Sequence, residues 1–354
     1  MRSTRSVSKG ALKLGAFALV AALTISACSS SKSSSSSSGT SAAKKSIKVG
    51  MAYDVGGRGD KSFNDLAAAG LDKAKTDLDV QTKELSATNG ENDQAKEDRL
   101  TLLATSGYNP IIAVGFAYAT AVGKVIAKYP NIHFALIDDD SVKGPNLTSL
   151  LFTEEQSSFL VGVAAALATK TKTVGFIGGV QEPLIQKFQA GYQAGVKAVD
   201  PSIKVLVAYL TQPPDFSGFG DAAKGKTTAE GQYDGGADVV YHAAGGSGAG
   251  VFQAAAEKQK LAIGVDSDQY QSAPADEQKL ILTSALKGVD TAVYDFIEND
   301  ANGKFTAGSQ RFSLKDNGVG YSTSNPIIDP YKAQIDAYKA KIISGEITVP
   351  TTVS

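Results

Sequence analysis

The 354-residue chain has no tryptophan, one cysteine, two histidines and two methionines. With Cys28 alone, no internal disulfide can form. Two separated histidines, His133 and His242, and one thiol are too few for a zinc cluster or a cysteine protease, and they disfavour a Ser-His triad. An excess of charge is also missing. Thirty-five Lys and Arg stand against 36 Asp and Glu, a formal charge of -1. That balance gives no electrostatic footprint for nucleic acid, so no nucleic-acid partner is expected.

What is present begins at the N-terminus. "MRSTRSVSK" carries Arg2, Arg5 and Lys9 and no acid. "GALKLGAFALVAALTIS" follows as an apolar run broken by Lys13, too short to span a membrane in the mature protein. It ends "ISAC", small residues before Cys28, an arrangement that resembles the bacterial lipobox. The expectation is a signal peptide over 1–27 and a lipid on Cys28, which becomes the new N-terminus. Removing 1–27 strips four positive charges and no acids, taking the formal charge from -1 to -5. Residues 28–45 are serine-rich and cannot bury enough apolar surface to offset their ordering entropy, so they read as a tether. The expected location is the extracytoplasmic face of a cell membrane, held by the lipid.

The remaining body, about 310 residues, exceeds the usual size of a single core. Short apolar runs alternate with helix-period stretches: "SIKVGMAYD", "NPIIAVG" and "IHFALID" as strands, "FNDLAAAGLDKAKTDL" and "TAVGKVIAKY" as helices. The alternation resumes with "TKTVGFIGG", "IKVLVAYL", "ADVVYHAAGG" and "LAIGVDSD". It predicts an α/β protein of two doubly wound parallel-sheet domains. The chain is expected to cross between them near 150, 284 and 318. One lobe then holds 46–150 plus 285–318, the other 151–284 plus 319–354, with a last helix over 329–345 on the second.

An internal echo supports this division. Phe63 precedes Gly70 by seven residues and Phe188 precedes Gly195 by the same seven, each in an alanine-rich helical stretch. Ligands of open α/β sheets bind beyond the carboxyl ends of the strands. Two facing lobes would set Phe63 and Phe188 on opposite walls of one cleft, suited to a flat π-rich ligand. Ser62 and Asp65 have capping-box spacing, which aims Phe63 and Asn64 into the cleft. Core packing is the plainer account of both phenylalanines. The residues alone leave both readings open.

Several longer stretches resemble the basic membrane protein family, nucleoside-binding lipoproteins of ABC importers with the type I periplasmic-binding-protein fold. They include "YDVGGRGDKSFND", "LLFTEEQSSFLVGVAAALATKTKTVGFIGG", "FQAGYQAGVKAVDP", "AEGQYDGGADVVYHAAGGSGAGV", "AIGVDSDQY" and "ILTSALKGVDTAV". The resemblance implies a base-side pocket at Asp54 and the "DKSFN" loop, with Phe63 stacking on a purine and Asn64 hydrogen-bonding nearby. It implies that Asp138 helps recognise the base and that Asp266 and Lys287 hold the ribose hydroxyls. The chemistry agrees, since a carboxylate accepts from a diol bidentately and an ammonium donates to the remaining oxygens. An Asx-turn role is the bland alternative for Asp266. Phe188 is the expected second stacking wall, with Phe219 its competitor, because "TQPPDFSGFG" is longer than the family's usual loop.

Two motifs compete for attention. "GDAAKGKT", Gly220 to Thr227, fits the phosphate-binding pattern G-x-x-x-x-G-K-[ST]. Two prolines and a glycine precede it, so no buried strand feeds the turn. ATP is also scarce outside the membrane. The match is expected to be accidental, with Lys226 an exposed helix lysine. "AAGGSGAG" lacks the dinucleotide spacing, and Gly246 is expected to offer backbone to the cleft. The overall expectation is a non-enzymatic, monomeric receptor without cofactor or metal. It would take a purine nucleoside and pass it to an ABC permease. Rival readings are a sugar receptor, a ligand-sensing signalling lipoprotein, or a hydrolase needing calcium at "DVGGRGD".

Overall fold

The computed structural model describes residues 47–353. The signal peptide, Cys28 and the tether lie outside the described residues. Among the described residues no helix is long and apolar enough to cross a membrane.

Two six-stranded sheets make up the body. The first runs β11-β5-β4-β3-β1-β2, from β1 (Lys48–Tyr53), β2 (Gln81–Ser86), β3 (Ile111–Ala113), β4 (Phe134–Ile137), β5 (Leu147–Phe152) and β11 (Gly308–Phe312). All its pairings are parallel. Its crossover helices are α1 (Phe63–Leu78), α2 (Asp93–Thr105) and α3 (Ala119–Lys128), with α9 (Val289–Ala301) packed on α1.

The second runs β12-β10-β9-β8-β6-β7, from β6 (Thr173–Val180), β7 (Lys204–Thr211), β8 (Val239–Ala243), β9 (Leu261–Asp266), β10 (Ile281–Lys287) and β12 (Val319–Tyr321). Its helices are α4 (Glu154–Ala168), α5 (Pro183–Val199), α6 (Ala222–Asp234), α7 (Gly248–Lys258), the short α8 (Ala275–Gln278) and α10 (Lys332–Ser344). The edge strand β12 is antiparallel to β10, the one departure from parallel order among these pairings. Central strands such as β4, β5 and β8 are buried along their whole length, as parallel strands covered on both faces must be.

Sheet membership corrects the expected crossings. The one placed after residue 284 falls inside β10, which pairs with β9 through Leu286 and with β12 at Lys287. The chain leaves this sheet only at Gly288. It leaves the first sheet after Phe152 and again after Phe312. The crossing sits a few residues further on because "ILTSALK" is one buried strand with no Gly or Pro before Gly288.

Candidate functional site

The start of α1 sets one wall. Asp60, rather than Ser62, caps this helix. Its Oδ1 accepts the backbone N–H of Ser62 at 2.9 Å and of Asp65 at 3.1 Å. Its Oδ2 accepts the backbone N–H of Asn64 at 2.9 Å and the Asn64 side-chain Nδ2 at 3.0 Å. Asp65 does not close the expected capping box. It turns back to the N–H groups of Gly59 at 2.6 Å and Lys61 at 3.0 Å. Ser62 is thereby free, and its Oγ donates across the cleft to Asp266 Oδ2 at 2.8 Å.

The strand tips of both sheets enclose a narrow cavity of about 50 Å³. The first lobe lines it with Asp54, Phe63, Asn64, Phe116 and Asp138; the second with Phe188, Phe219, Gly245, Asp266 and Lys287. Phe116 closes against the second lobe, meeting Phe216 and Phe219 edge-on at 5.9 and 6.4 Å between centroids.

Lys287 is the electrostatic centre. Its Nζ donates to Asp138 Oδ2 at 2.5 Å, and both side chains are almost wholly buried. The same ammonium lies 5.0 Å from the Phe63 ring, 5.1 Å from Phe152 and 5.6 Å from Phe188. Burial works against its charge, but Asp138, Glu154 and Asp266 outweigh that cost and hold its pKa above the usual lysine value. Burial pushes Asp266 up to about 6, opposed by Lys287 and the Ser62 hydroxyl. It pushes Asp54 up to about 8, against a hydrogen bond from Asn64 and with the help of Asp60, Asp138 and Asp266. A carboxyl raised this far can carry a proton near neutral pH, and in that form it donates as well as accepts.

Asn64 Nδ2 donates to Asp54 at 2.9 Å as well as to Asp60, which fixes the amide orientation. Asn64 Oδ1 is then a buried acceptor without a partner, as is Asp138 Oδ1. Leaving such atoms bare is costly, so a donor-bearing ligand is what they call for. Among the described residues, no group of three or more His, Cys, Asp and Glu is placed to hold a metal. In "DVGGRGD", Arg58 pairs with Glu84 and Asp72.

A family model described as Bmp, ABC transporter substrate-binding protein PnrA-like, matches residues 47–353. The chain belongs to the Bmp family. The ABC transporter nucleoside-binding protein BmpA of Lactococcus lactis is 35% identical over 87% of this chain and 90% of that protein. An uncharacterized lipoprotein of Pyrococcus horikoshii is 37% identical over 78% of this chain and 69% of that one. The crystal structure of an ABC transporter solute-binding protein from Aeropyrum pernix superposes with a TM-score of 0.75 at 30% identity, covering 87% and 94% of the two chains. This Bmp protein is thus an ABC transporter substrate-binding protein of type I periplasmic-binding fold, which implies a ligand and a membrane permease as partners.

Eight of the nine ligand-site residues expected from sequence line the Bmp cavity: Asp54, Phe63, Asn64, Asp138, Phe188, Phe219, Asp266 and Lys287. The ninth, Gly246, is set one residue off. It faces Asp60 and the Phe219 carbonyl, and Gly245, at φ +52°, lines the cavity instead. Asp266 ends β9 at φ +61° and spends its carboxylate on Ser62 of the other lobe. Asp60 falls in the expected "DKSFN" loop without having been singled out, and Phe116, Leu184 and Ile185 were not expected. Only Phe116 left a signal: "VGFAY" follows its strand as "AAGGS" follows β8, both opening on a 3₁₀ turn.

The phosphate-loop spelling serves the fold. Asp221 caps α6 by accepting the Lys224 N–H at 2.9 Å, putting a carboxylate where a phosphate would have to sit. Lys226 is paired with Glu257 at 2.7 Å rather than left free.

Proposed function

We propose that this Bmp-family receptor captures a purine nucleoside between its lobes, at the outer face of the membrane where Cys28 anchors it, and delivers it to an ABC permease. The observation that carries this reading is the composition of the cavity. Aromatic rings from both lobes share it with two unpartnered acceptors and a buried acid–amine pair. Phe63 would stack on the base. Phe219 is the better second wall, because Phe188 is 4% exposed while Phe219, like Phe63, keeps a partly open face. Asn64 Oδ1 and Asp138 Oδ1 would accept from base N–H donors. Protonated Asp54 would donate to a ring nitrogen or accept through its other oxygen. Asp266 and Lys287 would take the ribose hydroxyls. The name of the Lactococcus relative points the same way.

Calorimetry of the tether-free body against adenosine, guanosine, inosine, uridine and ribose tests the proposal. Purine nucleosides should bind most tightly, and free ribose weakly or not at all. Phe63→Ala should weaken purine nucleosides by about 1–3 kcal/mol, the scale of one base–aromatic stack. Ribose binding as tightly as adenosine would point instead to a sugar receptor.

A further inference from the structure

The stretches "DKSFN" and "GVDSDQ" meet across the cleft at Lys61. The Lys61 carbonyl accepts from Ser267 Oγ at 2.7 Å and from Gln269 Nε2 at 3.1 Å, both in the second lobe. Its ammonium returns a bond to the Ser272 carbonyl at 3.2 Å. These residues stand outside the lining of the ligand cavity. One step along the chain, the Ser62–Asp266 bond does reach that lining, through Asp266. The lobes are thus tied directly to each other around a single turn.

Each side of this tie is set in advance by its own lobe. Lys61 sits in the left-handed region at φ +54°, which a residue with a side chain adopts when its surroundings hold it there. Asp65 Oδ2 accepts its N–H at 3.0 Å, and Asp60 Oδ1 accepts that of Ser62 at 2.9 Å. The N–H and C=O of a trans peptide point opposite ways, so the Asp60 bond turns the Lys61 carbonyl out toward the second lobe. There Gln269 is buried, and its Oε1 accepts the Val265 N–H at 2.9 Å. That bond fixes the amide and presents Nε2 to Lys61. Gly264 makes the room, since a Cβ there would lie 2.6 Å from Gln269 Oε1.

We propose that the Lys61 turn and the Ser267–Gln269 loop form a latch that holds the receptor shut on itself, in competition with its solute. The cavity between the latched lobes is about 50 Å³, against roughly 300 Å³ or more for a small-molecule site. A nucleoside therefore needs the lobes further apart than the latch allows, because a hydrogen bond is lost beyond about 3.5 Å. It also needs Asp266, whose Oδ2 is given to Ser62 while the lobes are latched. The latched form takes no solute, so it lowers the apparent affinity by the share of receptor it occupies. The choice of solute rests on the nucleoside reading above; the latch itself does not.

With Cys28 left off, the tether-free body has no cysteine of its own, so spin labels can be placed at will. Labels on Asn89→Cys and Lys224→Cys, both exposed and on opposite lobes, report the lobe separation by pulsed electron paramagnetic resonance. The solute-free receptor should show a short-distance population. Lys61→Met with Ser267→Ala, at positions that are not buried, should move most of that population to longer distances. Ser267→Thr, which keeps the hydroxyl, should leave it in place. By calorimetry, adenosine should bind the Lys61→Met and Ser267→Ala double variant at least threefold more tightly than the unaltered receptor. A solute-free receptor with no short-distance population, or a double variant with unchanged distances, overturns the latch. Adenosine binding that is unchanged or weaker in the double variant overturns the competition. If the double variant does not fold, Ser267→Ala alone is read by the same two measurements. Failure of adenosine to bind either protein counts against the nucleoside reading, and the label distances then decide the latch by themselves.

Discussion

Strand by strand, the two lobes correspond. β4 and β9 hold the same place in their sheets, and each delivers an aspartate in the left-handed region, Asp138 at φ +70° and Asp266 at φ +61°. One position further out, β5 ends in Phe152 and β10 in Lys287. After the third strand of each lobe the 3₁₀ turn opens with Phe116 in one and Gly245 in the other. A repeated frame thus brings two carboxylates face to face. The unmatched positions supply one amine to serve both and set a ring opposite bare backbone. Symmetry builds the cleft, and its breaking gives the cleft chemistry. The twin aspartates would repel without Lys287, which is why the asymmetry is concentrated beside them.

Abolishing the asymmetry should have the largest effect. Lys287→Met makes the fifth strand end apolar in both lobes and strands buried carboxylates. It should cost about 3–5 kcal/mol in urea unfolding, the scale for breaking a buried pair. Adding Asp138→Asn should restore much of that loss. A smaller effect probes what the lobes share. A Cβ at Gly195 would lie 2.0 Å from the Phe159 carbonyl oxygen on α4, and one at Gly70 would lie 2.4 Å from the Asp290 carbonyl oxygen on α9. Alanine at either should cost about 1–3 kcal/mol by overpacking. Similar losses at both sites would confirm that the lobes pack their first helices by one rule.

The smallest effect sharpens a difference, since the residue directly after the leading strand is the acid Asp54 in the first lobe and Gln181 in the second. Asp54, at about 8, and Asp266, at about 6, both hold protons more tightly folded than unfolded. The folded state therefore binds more protons between the ordinary carboxylate value and these shifted ones. Their contribution to stability is greatest at acid pH and falls as pH rises toward about 8, by at most ~1.4 kcal/mol per pH unit for each group. Asp54→Asn should flatten the slope between pH 6 and 8 in denaturant titrations. Glu155, raised to about 7 by burial and by Glu154, should leave some slope behind.

The fold was legible because its signals are local and repeated. Apolar runs of strand length alternated with helix-period stretches, and the seven-residue echo between Phe63–Gly70 and Phe188–Gly195 marked the two lobes. The echo has a packing cause, because both glycines let a helix approach a neighbouring backbone. The candidate site was legible where long stretches resembled a family, at Asp54, Phe63, Asp138, Asp266 and Lys287. Roles set by three-dimensional competition were not. Asp60 and Asp65 are both acids near a helix start, and spacing favoured Asp65. The turn geometry gave the helix N–H groups to Asp60 and released Ser62 to the other lobe. Leu184 and Ile185 look like any apolar pair at a helix start. The crossing lies just past an uninterrupted buried strand, at Gly288, the residue before α9.

The Lys287–Asp138 bond joins the lobes beside a crossover, where the chain passes from β10 into α9. A pin close to the axle moves little when the wheel turns. Swinging the jaws apart would displace the rim residues far more than this pair, so the receptor could gape for unloading without ever setting a naked ion loose in its interior.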